Sequence, residues 1–250
     1  MNDIWRMISL GLTQGVTEWL PISSDGHLVL INQLWGVPED LALDVFLHGA
    51  SLLVLLLYFR KDIIQLTASV FGHGYQVQRH VVICLLLTTA ITVPIALWLE
   101  PQLSQWHNAR SVAYFLLVTS FFLILTIFSR PRAQVVTYGM AIAIGVFQGL
   151  AVLPGVSRSA LTISVALLAG LSRLESFRYA FLAAIPALTG ALIWKLKDMS
   201  LRPEYWLAFI ITFISGYLTL FLLQKIVERE RFHTFALYTV FLAIVILTIT

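Results

Sequence analysis

The segment LPISSDGHL, residues 20–28, places two serines, an aspartate and a histidine between apolar stretches of the chain. It interrupts an apolar region, residues 4–34, so that each flanking half is only about 12–16 residues long. A transmembrane helix needs about 20 apolar residues, and shorter segments are more typical of re-entrant helices. Non-helical backbone at membrane depth is tolerated only inside protein or beside a wet cavity. The segment therefore predicts the tip of a re-entrant helix pair.

The composition supports a membrane setting for this tip. The chain has 250 residues, of which 59% are hydrophobic and 12% charged, with a mean hydropathy of +0.87. A soluble domain carries about 25% charged residues. We therefore predict an all-α polytopic membrane protein with one membrane domain, residues 1–250. The lone Cys84 excludes an intrachain disulfide, and the net charge of +3 is typical of basic cytoplasmic loops rather than nucleic-acid binding.

Six further stretches are long and apolar enough to be spans, and a second apolar region, residues 138–170, is broken by LPGVSRS. Pro21 and Pro154 are expected to stop the first half-helix of each broken region. The first residues, MNDIWRMISLGL, lack a signal-peptide pattern, so we expect them to belong to the mature protein. The predicted spans are 43–59, 80–99, 111–128, 177–194, 204–224 and 234–250.

The two broken regions resemble each other at an offset of 134 residues. GLTQGVTEWLPISSDGH begins at Gly11, and GVFQGLAVLPGVSRSAL begins at Gly145. Each half of the chain, 1–134 and 135–250, then holds one re-entrant pair and three spans. Because three is odd, the second half must start on the opposite side, which predicts an inverted repeat. The matching pairs are Gly11 and Gly145, Gln14 and Gln148, Gly15 and Gly149, and Ser23 and Ser157.

The basic residues predict the orientation. This topology places ten on one side and five on the other, which favours the first side as cytoplasmic and turns both termini outward. The first group is Arg60, Lys61, Arg79, Arg130, Arg132, Arg173, Arg178, Lys225, Arg229 and Arg231, and the second is Arg6, Arg110, Lys195, Lys197 and Arg202.

Ionisable residues within apolar segments are costly and are therefore candidates for function. Gln14 and Glu18 are four apart and share a helix face, so they could hold a metal ion, orient a phosphate-bound water, or form a polar face that touches solvent. Ser24 and His27 are one helical turn apart, an arrangement that suits an activated hydroxyl nucleophile. Ser23 and Ser24 could equally be helix N-caps.

PGVSRSALT, residues 154–162, predicts a second helix start, which presents free N–H groups to an anion. Arg158 adds a permanent charge that suits phosphate oxygens, and Ser157, Ser159 and Thr162 add hydroxyl groups. A carboxylate, a hydroxyl, an imidazole and an arginine are the groups needed to hold and cleave a phosphoanhydride. A site in a membrane core favours a substrate that carries a lipid.

These motifs resemble the undecaprenyl-pyrophosphate phosphatase family, also known for bacitracin resistance. The likeness lies in QGVTEWLPISSDGHL and PGVSRSALT, and continues in LDVFLHGASLLVLLLYFRKDI and LSRLESFRYAFLAAIPALTGA, so it covers most of the chain. The resemblance implies a multi-pass protein of the bacterial inner membrane, with inverted repeats and re-entrant helices. Such a protein removes the terminal phosphate of a polyprenyl pyrophosphate to recycle the carrier for cell-wall synthesis. Its active site opens to the periplasmic side, and Mg²⁺ or Ca²⁺ supports its activity.

The resemblance also assigns roles to residues of this chain. It implies Ser24 as nucleophile, with Glu18, His27 and Arg158 as the other catalytic residues. It implies Glu18 and Gln14 as metal ligands. A departure from the usual pattern, Asp25 in place of Thr or Ser, adds a third candidate ligand or a charge that repels phosphate. The predicted phosphate-binding residues are Ser23, Ser157, Arg158, Ser159 and Thr162.

Two more departures are Gln14, where many members have Glu, and Ala160, where Gly is usual. Gln14 removes a metal-binding charge, and Ala160 would hinder close backbone approach. The main alternative function is a polyprenyl-phosphate flippase or transporter that uses the same anion site without hydrolysis. A second lipid-phosphatase superfamily needs a histidine soon after its Ser-Arg pair, whereas here the next is His233. A homodimer is compatible with a glycine-rich membrane chain.

Overall fold

The structure, a computed structural model, describes residues 3–36, 40–72, 76–195 and 202–249. Lys197 and Thr250, which belong to the predicted outer basic group and the last predicted span, lie outside these ranges. The described residues are helical throughout, apart from short turns and one isolated bridge between Ala133 and Leu171, so the all-α prediction is confirmed. The helices are α1 Asp3–Thr17, α2 Ser24–Trp35, α3 Leu41–Tyr58, α4 Arg60–Phe71, α5 Gln76–Leu99, α6 Leu103–Trp106, α7 Ala109–Leu125, α8 Tyr138–Leu150, α9 Arg158–Leu168, α10 Arg173–Lys195, α11 Tyr205–Glu228 and α12 Phe235–Ile249.

Five helical segments in the described residues are long and apolar enough to cross a membrane. The first predicted span, 43–59, is different: α3 is followed at once by α4 with a bend of 73°, and the two count as a sixth span only together. Large apolar side chains such as Phe71, Phe128 and Leu237 are exposed on the outer surface, where they can face lipid. The protein is therefore a multi-pass membrane protein. The five segments are Gln76–Trp106, Ala109–Phe128, Arg173–Lys195, Tyr205–Glu228 and Phe232–Ile249.

The two interrupted regions form helix pairs that are too short to span. The α1–α2 pair has helices of 15 and 12 residues, and the α8–α9 pair has helices of 13 and 11. Each first helix ends four residues before a proline, α1 at Thr17 before Pro21 and α8 at Leu150 before Pro154. A proline has no N–H to donate to the carbonyl four residues earlier, and its ring clashes with it. The prolines therefore end both helices where the sequence predicts a break.

The first helix of each pair packs against a long helix from the other half of the chain. α1 packs against α11, and α8 packs against α5. Thr212 donates a hydrogen bond to the Gly11 carbonyl at 3.0 Å, and Thr92 donates to the Gly145 carbonyl at 3.1 Å. A Cβ at either glycine would lie within 3 Å of a facing backbone oxygen, at 2.6 and 2.8 Å. The glycines therefore let the backbones approach, as small residues do at membrane helix interfaces.

A buried aromatic cluster supports the tip of the first pair. Trp19 is fully buried and meets Phe181 edge to face, with 5.6 Å between ring centroids. Phe181 also packs on Phe177, at 4.9 Å. Because Trp19 follows Glu18 directly, this cluster fixes the backbone that carries the carboxylate.

Candidate active site

The tips of the two broken pairs contact each other directly. Tip one is residues 18–23, between α1 and α2, and tip two is residues 151–157, between α8 and α9. The Ser23 hydroxyl accepts a hydrogen bond from the Gly155 N–H at 3.1 Å. A Cβ on Gly26 would lie 3.4 Å from the Gly155 Cα. The candidate residues of both tips therefore belong to one site.

Glu18 is the centre of this site. One of its carboxylate oxygens, Oε1, accepts a hydrogen bond from Arg158 and forms an ion pair with it. The other oxygen, Oε2, accepts from the Ser24 hydroxyl at 2.7 Å and from the Gln14 Nε2 at 3.2 Å. All three partners come from different helices or turns, and the carboxylate is buried. The arrangement lets a carboxylate take the proton of a serine hydroxyl.

Arg158 brings an unused donor into the site. It is the first residue of α9, and its Nη2 is the nitrogen that binds Glu18. Its Nη1 is buried and has no hydrogen-bond partner among the residues that the structure describes. A buried donor without a partner is costly and calls for an explanation. An anion such as a phosphate oxygen would supply the partner.

Ser23, rather than Ser24, caps helix α2. Its hydroxyl accepts from the Gly26 N–H at 3.2 Å, and α2 begins at Ser24. Ser23 has φ 67° and ψ 103°, a conformation that non-glycine residues rarely adopt. Such strain costs about 1–3 kcal/mol and is concentrated at functional sites. It sets the direction in which the next residue, Ser24, leaves the turn.

His27 lies one turn from Ser24, as predicted, but both of its ring nitrogens have other partners. Nδ1 lies 2.7 Å from the Ser23 carbonyl oxygen, and Nε2 lies 2.7 Å from the Tyr238 hydroxyl. The partner of the Ser24 hydroxyl is Glu18. The structure therefore brings Ser24 together with a carboxylate, and it brings His27 together with a tyrosine from the last helix.

The hydroxyl groups of tip two and α9 are used within the protein. The Ser157 hydroxyl caps α9 by accepting from the Ala160 N–H at 3.3 Å and lies 3.1 Å from the Ser159 hydroxyl. Ser159 donates to the Leu20 carbonyl at 3.3 Å, and Thr162 donates to the Arg158 carbonyl at 2.7 Å. The methyl group of Ala160 is buried in the main core cluster. Of the predicted phosphate-binding residues on this side of the site, Arg158 is thus the one with an N–H group that has no hydrogen-bond partner among the described residues.

His48 joins the site, although no specific role was predicted for this ionisable residue. Its Nε2 lies 3.8 Å from Glu18 Oε2 and 3.9 Å from Asp25 Oδ1, and its Nδ1 lies 2.8 Å from the Asp44 carbonyl oxygen. The signal for His48 was its place as an ionisable residue within an apolar span. Tyr238 carries no such signal, because tyrosine is common near membrane interfaces.

Gln14 and Glu18, two of the predicted metal ligands, are hydrogen-bonded to each other. Both oxygens of Glu18 are engaged, and Gln14 turns its amide nitrogen toward Glu18. The described residues hold no group of three or more His, Cys, Asp or Glu side chains arranged for a metal. The Gln14 Oε1 atom is buried and has no hydrogen-bond partner among the described residues, whereas the Asp25 side chain is 45% exposed. These side chains offer three oxygens, so waters or substrate oxygens would have to complete the six ligands of Mg²⁺ or the six to eight of Ca²⁺.

Comparisons with known proteins show the family of the chain. A family model described as bacitracin resistance protein BacA matches residues 7–245. The chain belongs to the BacA family. This BacA-family chain is 34% identical over 261 residues to a protein of Korarchaeum cryptofilum named undecaprenyl-diphosphatase, and the alignment covers 99% of both chains.

Two more relatives carry the same name. The chain is 35% identical over 257 residues to an undecaprenyl-diphosphatase of Halothermothrix orenii, covering 98% of this chain and 97% of the other. It is 32% identical over 243 residues to one of Thermosipho melanesiensis, covering 95% and 96%. The match to the BacA family therefore extends over both broken helix pairs and all the long helices.

Proposed function

We propose that this protein hydrolyses undecaprenyl pyrophosphate to undecaprenyl phosphate and inorganic phosphate. The observation that carries the proposal is the Ser24 hydroxyl, which donates to Glu18 at 2.7 Å beside Arg158. A carrier that only binds and moves an anion needs positive charge and donors, but no hydroxyl paired with a carboxylate. Near-full coverage by relatives named undecaprenyl-diphosphatase supports the same conclusion.

In the first step, the Ser24 oxygen attacks the terminal phosphorus of the pyrophosphate while Glu18 takes its proton. The bond between that phosphorus and the bridging oxygen breaks. Glu18 gives the proton to the bridging oxygen as undecaprenyl phosphate departs, which restores the carboxylate. The free Nη1 of Arg158 donates to the phosphoryl oxygens, where negative charge must be stabilised.

In the second step, water attacks the phosphorus of the phosphoserine, and Glu18 takes a proton from that water. The bond to the Ser24 oxygen breaks, and the oxygen recovers a proton from Glu18. Inorganic phosphate leaves, and both side chains return to their starting states. One carboxylate therefore serves both steps as base and acid.

A divalent cation would be held by oxygens of this chain together with oxygens of the bound pyrophosphate, because Mg²⁺ commonly binds through carboxylates and substrate phosphates. The chain's available oxygens near the site are Gln14 Oε1 and the Asp25 carboxylate. The cation would neutralise part of the pyrophosphate charge. Phosphate release with and without EDTA, followed by return of Mg²⁺ or Ca²⁺, tests this part.

The setting proposed for the reaction is the bacterial inner membrane, with the site open to the periplasmic side. The uneven basic residues support this orientation. The reciprocal packing of α1 on α11 and α8 on α5 supports an inverted repeat with halves 1–134 and 135–250. A homodimer stays a prediction, and the mass of the purified protein in detergent tests it.

The deciding experiment measures phosphate release from C55 and C15 polyprenyl pyrophosphates by wild type and Ser24→Ala. We expect the substitution to lower turnover by at least about a thousandfold, because it removes the nucleophile. The substituted protein should unfold at the wild-type temperature. Full turnover in Ser24→Ala would remove the nucleophile assignment. If wild type moves labelled lipid across vesicles without releasing phosphate, the flippase alternative replaces this proposal.

A further inference from the structure

His27 lies next to the nucleophile, but its hydrogen bonds lead away from it. The Ser23 carbonyl can only accept, so His27 Nδ1 must carry the hydrogen of that 2.7 Å contact. In the neutral ring, Nε2 then holds a lone pair and accepts from the Tyr238 hydroxyl at 2.7 Å. The two rings are also stacked, with 5.8 Å between centroids and 8° between planes. The Ser23 carbonyl therefore fixes the tautomer of the imidazole, and Tyr238 holds the plane of its ring.

The Ser23 carbonyl accepts from His27 twice. Besides the ring nitrogen, the His27 backbone N–H donates to it at 3.3 Å. Ser23 is the residue with φ 67°, and its carbonyl belongs to the peptide bond that leads into Ser24. A side chain that holds this carbonyl therefore holds the peptide from which the Ser24 hydroxyl is directed at Glu18.

Tip two shows what the same turn does without an imidazole. Its cap, Ser157, has an ordinary φ of −83°. The residue that corresponds to His27 at the offset of 134 is Leu161, whose backbone N–H donates to the Ser157 carbonyl at 3.0 Å. The extra ring contact thus accompanies the strained cap and is missing from the relaxed one.

We propose that His27 and Tyr238 are positioning residues that hold the strained Ser23–Ser24 peptide, and that Glu18 alone exchanges the proton of Ser24. This inference rests on the proposed hydrolysis. It assigns a part in that reaction to α12, a helix from the other half of the chain, through Tyr238. For His27 to transfer the proton, one of its ring nitrogens would first have to break its hydrogen bond to the Ser23 carbonyl or to the Tyr238 hydroxyl.

Two substitutions of His27 separate positioning from proton transfer. The amide nitrogen of asparagine lies about where Nδ1 lies and can donate to the Ser23 carbonyl, whereas that of glutamine reaches the place of Nε2. We expect His27→Asn to keep kcat within about tenfold of wild type, and His27→Gln to lose about a hundredfold through misplacement of Ser24. Equal losses in the two variants would overturn the proposal, because neither amide transfers a proton.

Tyr238→Phe tests the hydrogen bond between Tyr238 and His27. Tyr114→Phe, which changes an exposed tyrosine of α7, is the matched control. Loss of one hydrogen bond should lower kcat about tenfold in Tyr238→Phe and leave KM unchanged, while Tyr114→Phe keeps both. A change in KM alone would mean that Tyr238 contacts substrate, and would overturn the positioning role.

The tautomer can be measured independently of activity from the ¹⁵N shifts of the imidazole in detergent. His27→Asn identifies the His27 signals by their absence. We expect the Nδ1–H tautomer in wild type, and a shift of the Nε2 signal in Tyr238→Phe but not in Tyr114→Phe. An Nε2–H tautomer, or no response to Tyr238→Phe, would overturn the inference. If wild type releases no phosphate, the proposed function fails while these shifts still decide how the ring is held.

Discussion

Tip one and tip two begin alike and end with different chemistry. At the offset of 134 residues, Ser24 corresponds to Arg158, and each is the first residue of its second helix. Each follows a serine cap. The same turn, used twice, therefore presents a nucleophile from one half of the chain and a cation from the other.

The residues behind the two turns explain why only tip one is a candidate for proton transfer. Glu18 corresponds to Val152, so tip two has no carboxylate at this position. Gln14 donates to Glu18, whereas Gln148 donates to Thr92 and to the Ala183 carbonyl, both at 3.2 Å. A glutamine that serves the site in one half thus serves helix packing in the other.

The largest effect after loss of the nucleophile is expected from Glu18→Gln. The amide cannot take the Ser24 proton, so kcat should fall by about 10²–10⁴-fold, the usual contribution of a general base. Glu175→Gln, which alters a carboxylate paired with Arg178 outside the two tips, is the matched control. Phosphate release is the measurement. Activity of Glu18→Gln equal to that of the control would mean that another group accepts the proton.

Arg158→Lys tests the cation at the start of α9, directly after tip two. Lysine keeps the charge but has no forked donors, so it cannot bind Glu18 and a phosphate oxygen together as two guanidinium nitrogens do. We expect a loss of about 10²–10³-fold in kcat/KM. Arg173→Lys, at the ion pair with Glu230, should change little. Wild-type activity in Arg158→Lys would show that charge alone suffices at this position.

The contrast between the tips also separates what the sequence predicts from what it leaves open. Hydropathy and the two prolines predicted the long helices and the two broken pairs, because both act over neighbouring residues. The sequence named Ser24, Glu18 and Arg158, but it paired Ser24 with His27, its neighbour on the same helix. The contact with Glu18 depends on how the tip turns at Ser23, and a positive φ at serine leaves no pattern in the sequence.

Contacts between distant parts of the chain were the hardest to predict. Tyr238 meets His27 across 211 positions, and His48 reaches Glu18 from α3. The first predicted span also ends in a bend of 73° that hydropathy does not encode. Such features depend on packing between helices, which a single sequence shows only where a motif repeats.

A smaller effect is expected from the paired substitutions Gln14→Leu and Gln148→Leu. Gln14→Leu removes a hydrogen bond to a carboxylate, which should lower kcat about tenfold. Gln148→Leu removes two bonds between helices, so it should leave kcat within about twofold and lower the free energy of unfolding by about 1 kcal/mol. Phosphate release and thermal unfolding in detergent are measured for both. Equal loss of activity in the two variants would contradict the division of roles between the tips.

Among changes within the two tips themselves, Ser157→Ala is expected to have the smallest effect on activity. The Ser157 hydroxyl caps α9 and contacts Ser159, so its loss should lower the free energy of unfolding by about 1 kcal/mol. Turnover should fall only about two- to threefold, since Arg158 still has its free donor. The equivalent change at the strained cap, Ser23→Ala, also removes the bond to the Gly155 N–H and should reduce turnover further. A large loss of turnover in Ser157→Ala at unchanged stability would instead make its hydroxyl a phosphate ligand, and the two caps would then differ in chemistry as well as in strain.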